Sequence, residues 1–165
     1  KSELALELIS RGHGLIAGDI VEVYKMSPEL IEGRCPDVLK DFLEVRGIGI
    51  LNIRTTFGET AVRPRKSLKL IVHLQKPTPG VPDAARLPLD AQNETILGVP
   101  VRRVTIPVAA GRNLAVLTEA ATRLHILRTK GIDPAAMFIA RHGVPVIALH
   151  ALFAGCNHGA TGAVA

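Results

Sequence analysis

Between Leu43 and Gly58 the chain reads Leu-Glu-Val-Arg-Gly-Ile-Gly-Ile-Leu-Asn-Ile-Arg-Thr-Thr-Phe-Gly, and no other run restricts the fold as strongly. A carboxylate, Glu44, and a guanidinium, Arg46, stand beside Gly47 and Gly49, and an apolar stretch that reads as a strand follows at once. Pro36 opens a short helical segment through Leu39, Phe42 and Leu43, with Gly47 as its stop. The two glycines cap and bend the chain, and they also let backbone approach a ligand closely. Glu44 and Arg46 are therefore the first candidates for chemistry. The plainer alternative is a surface glutamate at a helix end, paired with Arg46.

Helical and strand-like periods alternate along the rest of the chain. Leu4 and Leu8, with Ala5 and Ile9, recur at helical spacing, and Gly12 follows Arg11, so Ser2 to Arg11 reads as a helix with one buried face. Leu15-Ile16-Ala17 and Ile20 to Tyr24 read as two short strand-like runs around Gly18-Asp19, which puts an acidic residue at a strand end. Leu68, Leu70, Val72 and Leu74 alternate with Lys69 and His73, the pattern of a strand with one wet face. Pro77, Pro79, Gly80 and Pro82 exclude regular structure and mark Gln75 to Arg86 as a candidate mobile segment. Val104, Ile106 and Val108 give another strand, ending at Ala109-Ala110-Gly111-Arg112. Asn113 is a good N-cap for a long helix from Leu114 to Lys130, stopped by Gly131, and Asp133-Pro134 starts a shorter one toward Arg141. No Asp, Glu, Lys or Arg follows Arg141, so residues 143–165 read as a separate tail behind a domain of residues 1–142.

At 165 residues, with 47% hydrophobic and 21% charged, the chain can bury a substantial core as an ordinary globular domain. A net charge of +5 favours anionic partners. Aromatic residues make up only 3% and there is no Trp, which supplies a stacking platform for single-stranded nucleic acid poorly and leaves phosphate or an acidic protein as the better partner. The run Arg63-Pro64-Arg65-Lys66, with Lys69, is either a solvated loop or a docking contact. Cys35 and Cys156 make no disulfide framework, and no secretory signal precedes the first helix, which fits a reducing cytoplasm. Val144 to Cys156 is shorter than a membrane span and is interrupted by Pro145 and His150, so no transmembrane segment is expected. The irregular spacing of His142, His150, Cys156 and His158 argues against a zinc set, and His13 and His73 read as structural or exposed.

The opening Lys1-Ser2-Glu3-Leu4-Ala5-Leu6-Glu7-Leu8-Ile9-Ser10-Arg11-Gly12-His13, taken with the Leu43–Gly58 run, resembles the catalytic domain of bacterial HPr kinase/phosphorylase, a P-loop protein-serine kinase. The likeness extends from Lys1 to about His142. It implies an α/β P-loop kinase domain of the HPr kinase/phosphoenolpyruvate carboxykinase-like type, a mixed sheet with flanking helices. It also implies truncation within the phosphate-binding loop, whose glycines would precede Lys1.

Roles for individual residues follow from the same resemblance. Lys1 would neutralise the β- and γ-phosphates of ATP, the Ser2 hydroxyl would ligate Mg²⁺, and Glu44 would be the metal-binding glutamate. The family's Ala-Asp-Asp run, whose first Asp is the general base and acid, corresponds to Ala17-Gly18-Asp19 here. Gly18 has no side chain to act as a base, which leaves three readings: a sequence error, an inactive relative, or Asp19 in its place. Arg86, in Ala84-Ala85-Arg86-Leu87, falls where the family has an arginine that stabilises charge on the transferring phosphoryl group. One family catalytic segment covers Leu43, Glu44, Val45, Arg46, Gly47, Ile48, Gly49, Ile50, Leu51 and Asn52. Another, tied to dephosphorylation, covers Pro107, Val108, Ala109, Ala110, Gly111 and Arg112; there inorganic phosphate attacks the phosphoserine and pyrophosphate leaves. The implied partner is HPr, the phosphocarrier of the sugar phosphotransferase system, in a hexameric enzyme that regulates carbon metabolism without nucleic acid or membrane. A remnant that keeps only fold and oligomer contacts is the alternative, and a basic nucleic-acid-binding module is a third reading.

Overall fold

Apolar residues at helical spacing make the first element, α1, Ser2–Ser10, which packs Ala5, Leu6 and buried Ile9 into a core. Gly12, at φ +93°, ends it, and the N–H groups of Arg11, Gly12 and His13 bond back to carbonyls of its last turns. The computed structural model describes residues 1–76 and 92–142, which divide into two compact units at Arg123 and Leu124. Arg86, most of the proline-rich segment and the tail, with Cys156, His150 and His158, lie outside the described residues.

Leu15-Ile16-Ala17 does not form a strand. Leu15 makes a single parallel bridge to Val62, with the Leu15 N–H donating to Ala61 O at 2.8 Å and the Arg63 N–H to Leu15 O at 2.7 Å. Gly18 and Asp19 then lie in a bend, and the second predicted strand begins at Glu22. Strand β1, Glu22–Ser27, pairs antiparallel with β2, Leu30–Arg34.

The helix predicted from Pro36 through Leu43 shrinks to a 3-10 turn at Asp37–Leu39. Asp41, at φ +68°, breaks the helical path, and β3, Phe42–Val45, follows with Leu43 and Val45 buried and Phe42 and Glu44 exposed. Period-two alternation decides for strand here because one face has a core to enter. Strand β3 pairs with β4, Gly49–Asn52, in four successive partners from Phe42↔Asn52 to Val45↔Gly49. Gly47, at φ +82°, and Gly49, at φ +106°, thus bend a hairpin rather than cap a helix. A short helix, α2, Ile53–Phe57, leaves β4 with Asn52 as its cap.

The basic run predicted as a loop contributes an edge strand, β5, Arg65–Ser67, to the β1-β2-β5 sheet. Strand β6, Leu70–Gln75, is the predicted half-wet strand, with His73 and Gln75 exposed. Strand β7, Gln92–Ile96, was not visible in the sequence because it is almost wholly polar and exposed. It turns at Leu97 (φ +50°) and Gly98 (φ +78°) into β8, Val99–Pro107, which starts earlier than predicted because Val99 and Val101 are buried. Strand β8 pairs antiparallel with β7 and parallel with β6, so the sheet is mixed, as expected.

Two separate cores result. Ile9, Leu15, Leu43, Val45, Ile53, Ala61 and Val62 pack under α1 and the β3–β4 hairpin, while Ile31, Val99 and Val101 join the antiparallel and mixed sheets. Helix α3, Leu114–Thr129, begins where predicted, with the Val116 N–H donating to Asn113 Oδ1 at 3.0 Å. Helix α4, Pro134–His142, is capped by Asp133, whose Oδ1 accepts from the Ala135 N–H at 3.0 Å. No helix among the described residues is long and apolar enough to cross a membrane.

Candidate functional site

At the N-terminal end of α1, Lys1 meets the Gly18–Asp19 bend, and that bend lies against β3. Lys1 Nζ lies 3.1 Å from Asp19 Oδ1, and both side chains are largely exposed. Gly18, beside Asp19, lies against β3: a Cβ built there would stand 3.5 Å from Leu43 Cδ1 and 3.6 Å from Phe42 O, ordinary contact distances. Glu44 follows Leu43 on that strand, on the exposed face, opposite Ile50. Ser2 opens α1 half-buried. Ala5, Leu6 and Ile9 of α1 join the core that holds Leu43 and Val45, so Glu44, which alternates with them, lies on the opposite, exposed face of β3.

The Glu44–Arg46 ion pair does not form among the described residues. Arg46 instead lines a cleft of about 490 Å³ with Glu3, Leu6, Glu7, Ser10, Val45, Ile48 and Phe57. The pair that does secure the hairpin is Asp41 with Arg54. Arg54 Nε donates to Asp41 Oδ2 at 2.7 Å and Nη2 to Oδ1 at 3.2 Å, while Nη1 pairs with Glu59. The Ile53 N–H donates to the Asp41 carbonyl at 2.8 Å. Hydrogen bonding from Arg54 holds the Asp41 carboxyl below the usual carboxylate range, and the same contact raises the guanidinium of Arg54. Neither residue stood out in the sequence, because residues 13 apart carry no local spacing signal.

A second polar network ties α1 to the start of α3. Arg11 reaches Glu7 at 2.7 Å and Glu119 at 3.3 Å, and His13 Nε2 lies 2.8 Å from Glu119 Oε1. The His13 hydrogen bond, then the Arg11 charge, lower the Glu119 pKa. Asn113, which caps α3, also donates to Glu7 Oε1 at 3.3 Å. The Pro107–Arg112 segment is therefore followed at once by a residue that touches α1, and Arg112 Nη1 donates back to Pro107 O at 3.1 Å. His13 is exposed and in hydrogen-bond contact with Glu119, and Cys35 is a free thiol whose pKa burial raises. Among the described residues no three His, Cys, Asp or Glu side chains could hold a metal by themselves.

The family model of the HPr Serine kinase C-terminal domain matches residues 1–142. A protein of Nitrosomonas europaea named HPr kinase/phosphorylase is 64% identical over 143 residues, which cover 86% of this chain and 44% of that protein. One of the same name from Chromobacterium violaceum is 62% identical over 143 residues, covering 86% of this chain and 45% of its own. The chain thus spans less than half the length of these curated relatives. The solved structure of the HPr(Ser) kinase/phosphatase from Coxiella burnetii superposes with a TM-score of 0.72 at 35% identity, over 84% of this chain and 83% of that one. With the family model matched over residues 1–142 of 165, the chain belongs to the HPr serine kinase C-terminal domain family.

Proposed function

We propose that this chain carries the phosphoryl-transfer site of a protein-serine kinase/phosphorylase that phosphorylates HPr with ATP and removes the phosphate with inorganic phosphate, releasing pyrophosphate. The observation that carries this reading is the contact of Lys1 with Asp19 at the start of α1, with Gly18 of the same bend lying against the strand that bears Glu44. An exposed ion pair contributes little to stability, so Lys1 can exchange Asp19 for a phosphate at small cost. The Ser2 hydroxyl, the Glu44 carboxylate and phosphate oxygens are hard donors of the kind Mg²⁺ takes. Bound Mg²⁺ would supply charge neutralisation at the transferring phosphoryl group. Arg86 would stabilise the same charge, and Pro107–Arg112 would serve the reverse reaction. The hexamer and the cytoplasmic setting belong to the same proposal.

Gly18 favours a second reading, a catalytically impaired member that keeps the fold. The two separate experimentally. Calorimetric titration with Mg²⁺-ATP of a chain that carries the glycine loop before Lys1 should show binding that Glu44→Ala weakens, and equal affinity for the variant would count against the metal role. Gly18→Asp fits sterically, since the added Cβ makes only van der Waals contact. Restoring a base should raise serine phosphorylation of HPr by about 10²- to 10⁴-fold. A phosphotransfer assay without any rise in the variant would sink the idea that Gly18 is the lesion.

A further inference from the structure

We infer that the Asp41–Arg54 ion pair positions Glu44, holding the base of the β3–β4 hairpin so that the carboxylate keeps one setting; the inference rests on the metal role proposed for Glu44. Three observations lead there. First, the hairpin is exposed at its tip, where Gly47 and Gly49 both take positive φ and Ile48 is 65% exposed. Second, the face that carries Glu44 has no core to lean on, for its neighbours Phe42 and Ile50 are 45% and 73% exposed. Packing of Leu43 and Val45 fixes the opposite face only.

Third, the remaining constraint sits at the base and is over-determined. Asp41 adopts φ +68°, a region that costs a non-glycine residue free energy and persists where its surroundings impose it. Its carbonyl takes the Ile53 N–H, and its carboxylate takes two nitrogens of Arg54. A two-point guanidinium–carboxylate contact fixes orientation as well as distance, which a single ammonium does not. Ile53 is fully buried, so the clamp is referred to the core. Glu44 is three residues beyond Asp41, within reach of any twist at the base.

The test compares Arg54→Lys, Asp41→Asn and Glu44→Ala in the full chain, reading Mg²⁺ half-saturation of ATP binding by calorimetry and melting temperature in parallel. Arg54→Lys keeps the charge and loses the fork. It should raise the Mg²⁺ half-saturation about 10-fold, as loss of a ligand's supporting partner does. ATP affinity measured in EDTA should stay within about twofold of the parent. Asp41→Asn, an isosteric change, should do the same, which covers the case in which the lysine variant folds poorly. Adding Arg54→Lys to Glu44→Ala should change the Mg²⁺ dependence no further, because the supported group is already gone. A responsive Glu44→Ala beside Arg54→Lys and Asp41→Asn variants with the parent's Mg²⁺ dependence overturns this inference alone, as do effects that multiply in the double variant. A Glu44→Ala protein with the parent's Mg²⁺ dependence overturns the metal role, and the positioning role falls with it.

Discussion

Two antiparallel hairpins of the first unit, β1–β2 and β3–β4, have the same topology and very different footing. In β1–β2 the register slips between Lys25 and Ser27, and every β1 residue except Val23 is exposed. Its hold on the core is Ile31 of the partner strand, 1% exposed, while Tyr24 ties the outer surface by donating to Glu22 at 2.8 Å and stacking under Arg34. In β3–β4 the four pairs run without a slip, Leu43 and Val45 are both buried, and the base is clamped by Asp41 and Arg54. Register is strongly specified where a strand buries alternate side chains, and weakly where it lies open. The hairpin that carries Glu44 is the one whose register cannot drift without exposing its core.

The largest effects should come from the two anchors. Ile53→Ala and Ile31→Ala each remove a fully buried isoleucine side chain, and each should cost about 2–5 kcal/mol in denaturant unfolding. Only Ile53 lies in the core under the hairpin that bears Glu44, whereas Ile31 lies in the core with Val99 and Val101. Ile53→Ala should therefore also weaken Mg²⁺-ATP binding, and Ile31→Ala should leave it near the parent value. Equal loss of nucleotide affinity in both variants would break the distinction between the hairpins.

Much of this arrangement was legible in the sequence. The helix after Lys1, the caps at Asn113 and Asp133 and the half-wet strand near Leu70 all follow from local signals, because apolar period and capping chemistry act within a few residues. The strand at Phe42–Val45 was misread as helix, since Phe42-Leu43 after Pro36-Asp37-Val38-Leu39 fits a helical face until Asp41 takes a left-handed φ. β7 escaped notice because four of its five side chains are polar and exposed and its one core contact is Ile96 at the end. At the candidate site, Glu44 and Asp19 stood out from their local sequence, the roles of Lys1, Asp19 and Glu44 came from the resemblance, and the structure pairs Lys1 with Asp19. Asp41, Arg54 and Glu119 were missed because each earns its role from a partner distant in sequence.

A smaller effect separates the hairpins by pH. Hydrogen bonds from Arg54 hold the folded Asp41 carboxyl below its ordinary range. The unfolded chain therefore takes up that proton first as pH falls. The pair's contribution is complete above the ordinary aspartate range, about 4, and is lost as pH drops through the lowered folded value. Asp41→Asn should flatten the acid limb of a stability–pH curve measured by chemical denaturation. Glu119, also lowered, leaves part of the slope in place. A variant curve parallel to the parent's below about pH 5 would mean that the clamp holds no titration-linked stability.

The smallest predicted difference lies in the polar contacts that finish each hairpin. Asn52 ends β4 and caps α2 at once, its Oδ1 accepting the Thr55 N–H at 2.9 Å and its carbonyl accepting the Thr56 hydroxyl at 2.8 Å. Asn52→Ala removes the side-chain acceptor and should cost about 1 kcal/mol. Tyr24→Phe deletes only an exposed hydroxyl on β1, and substitutions of that kind stay within about 0.5 kcal/mol. Because the Asn52 cap sets the first turn of α2, where Ile53 enters the core, its loss should also speed amide exchange at Phe42, which pairs with Asn52. Tyr24→Phe should leave exchange along β2 as it was. Equal acceleration in both hairpins would show that the second is no better anchored than the first.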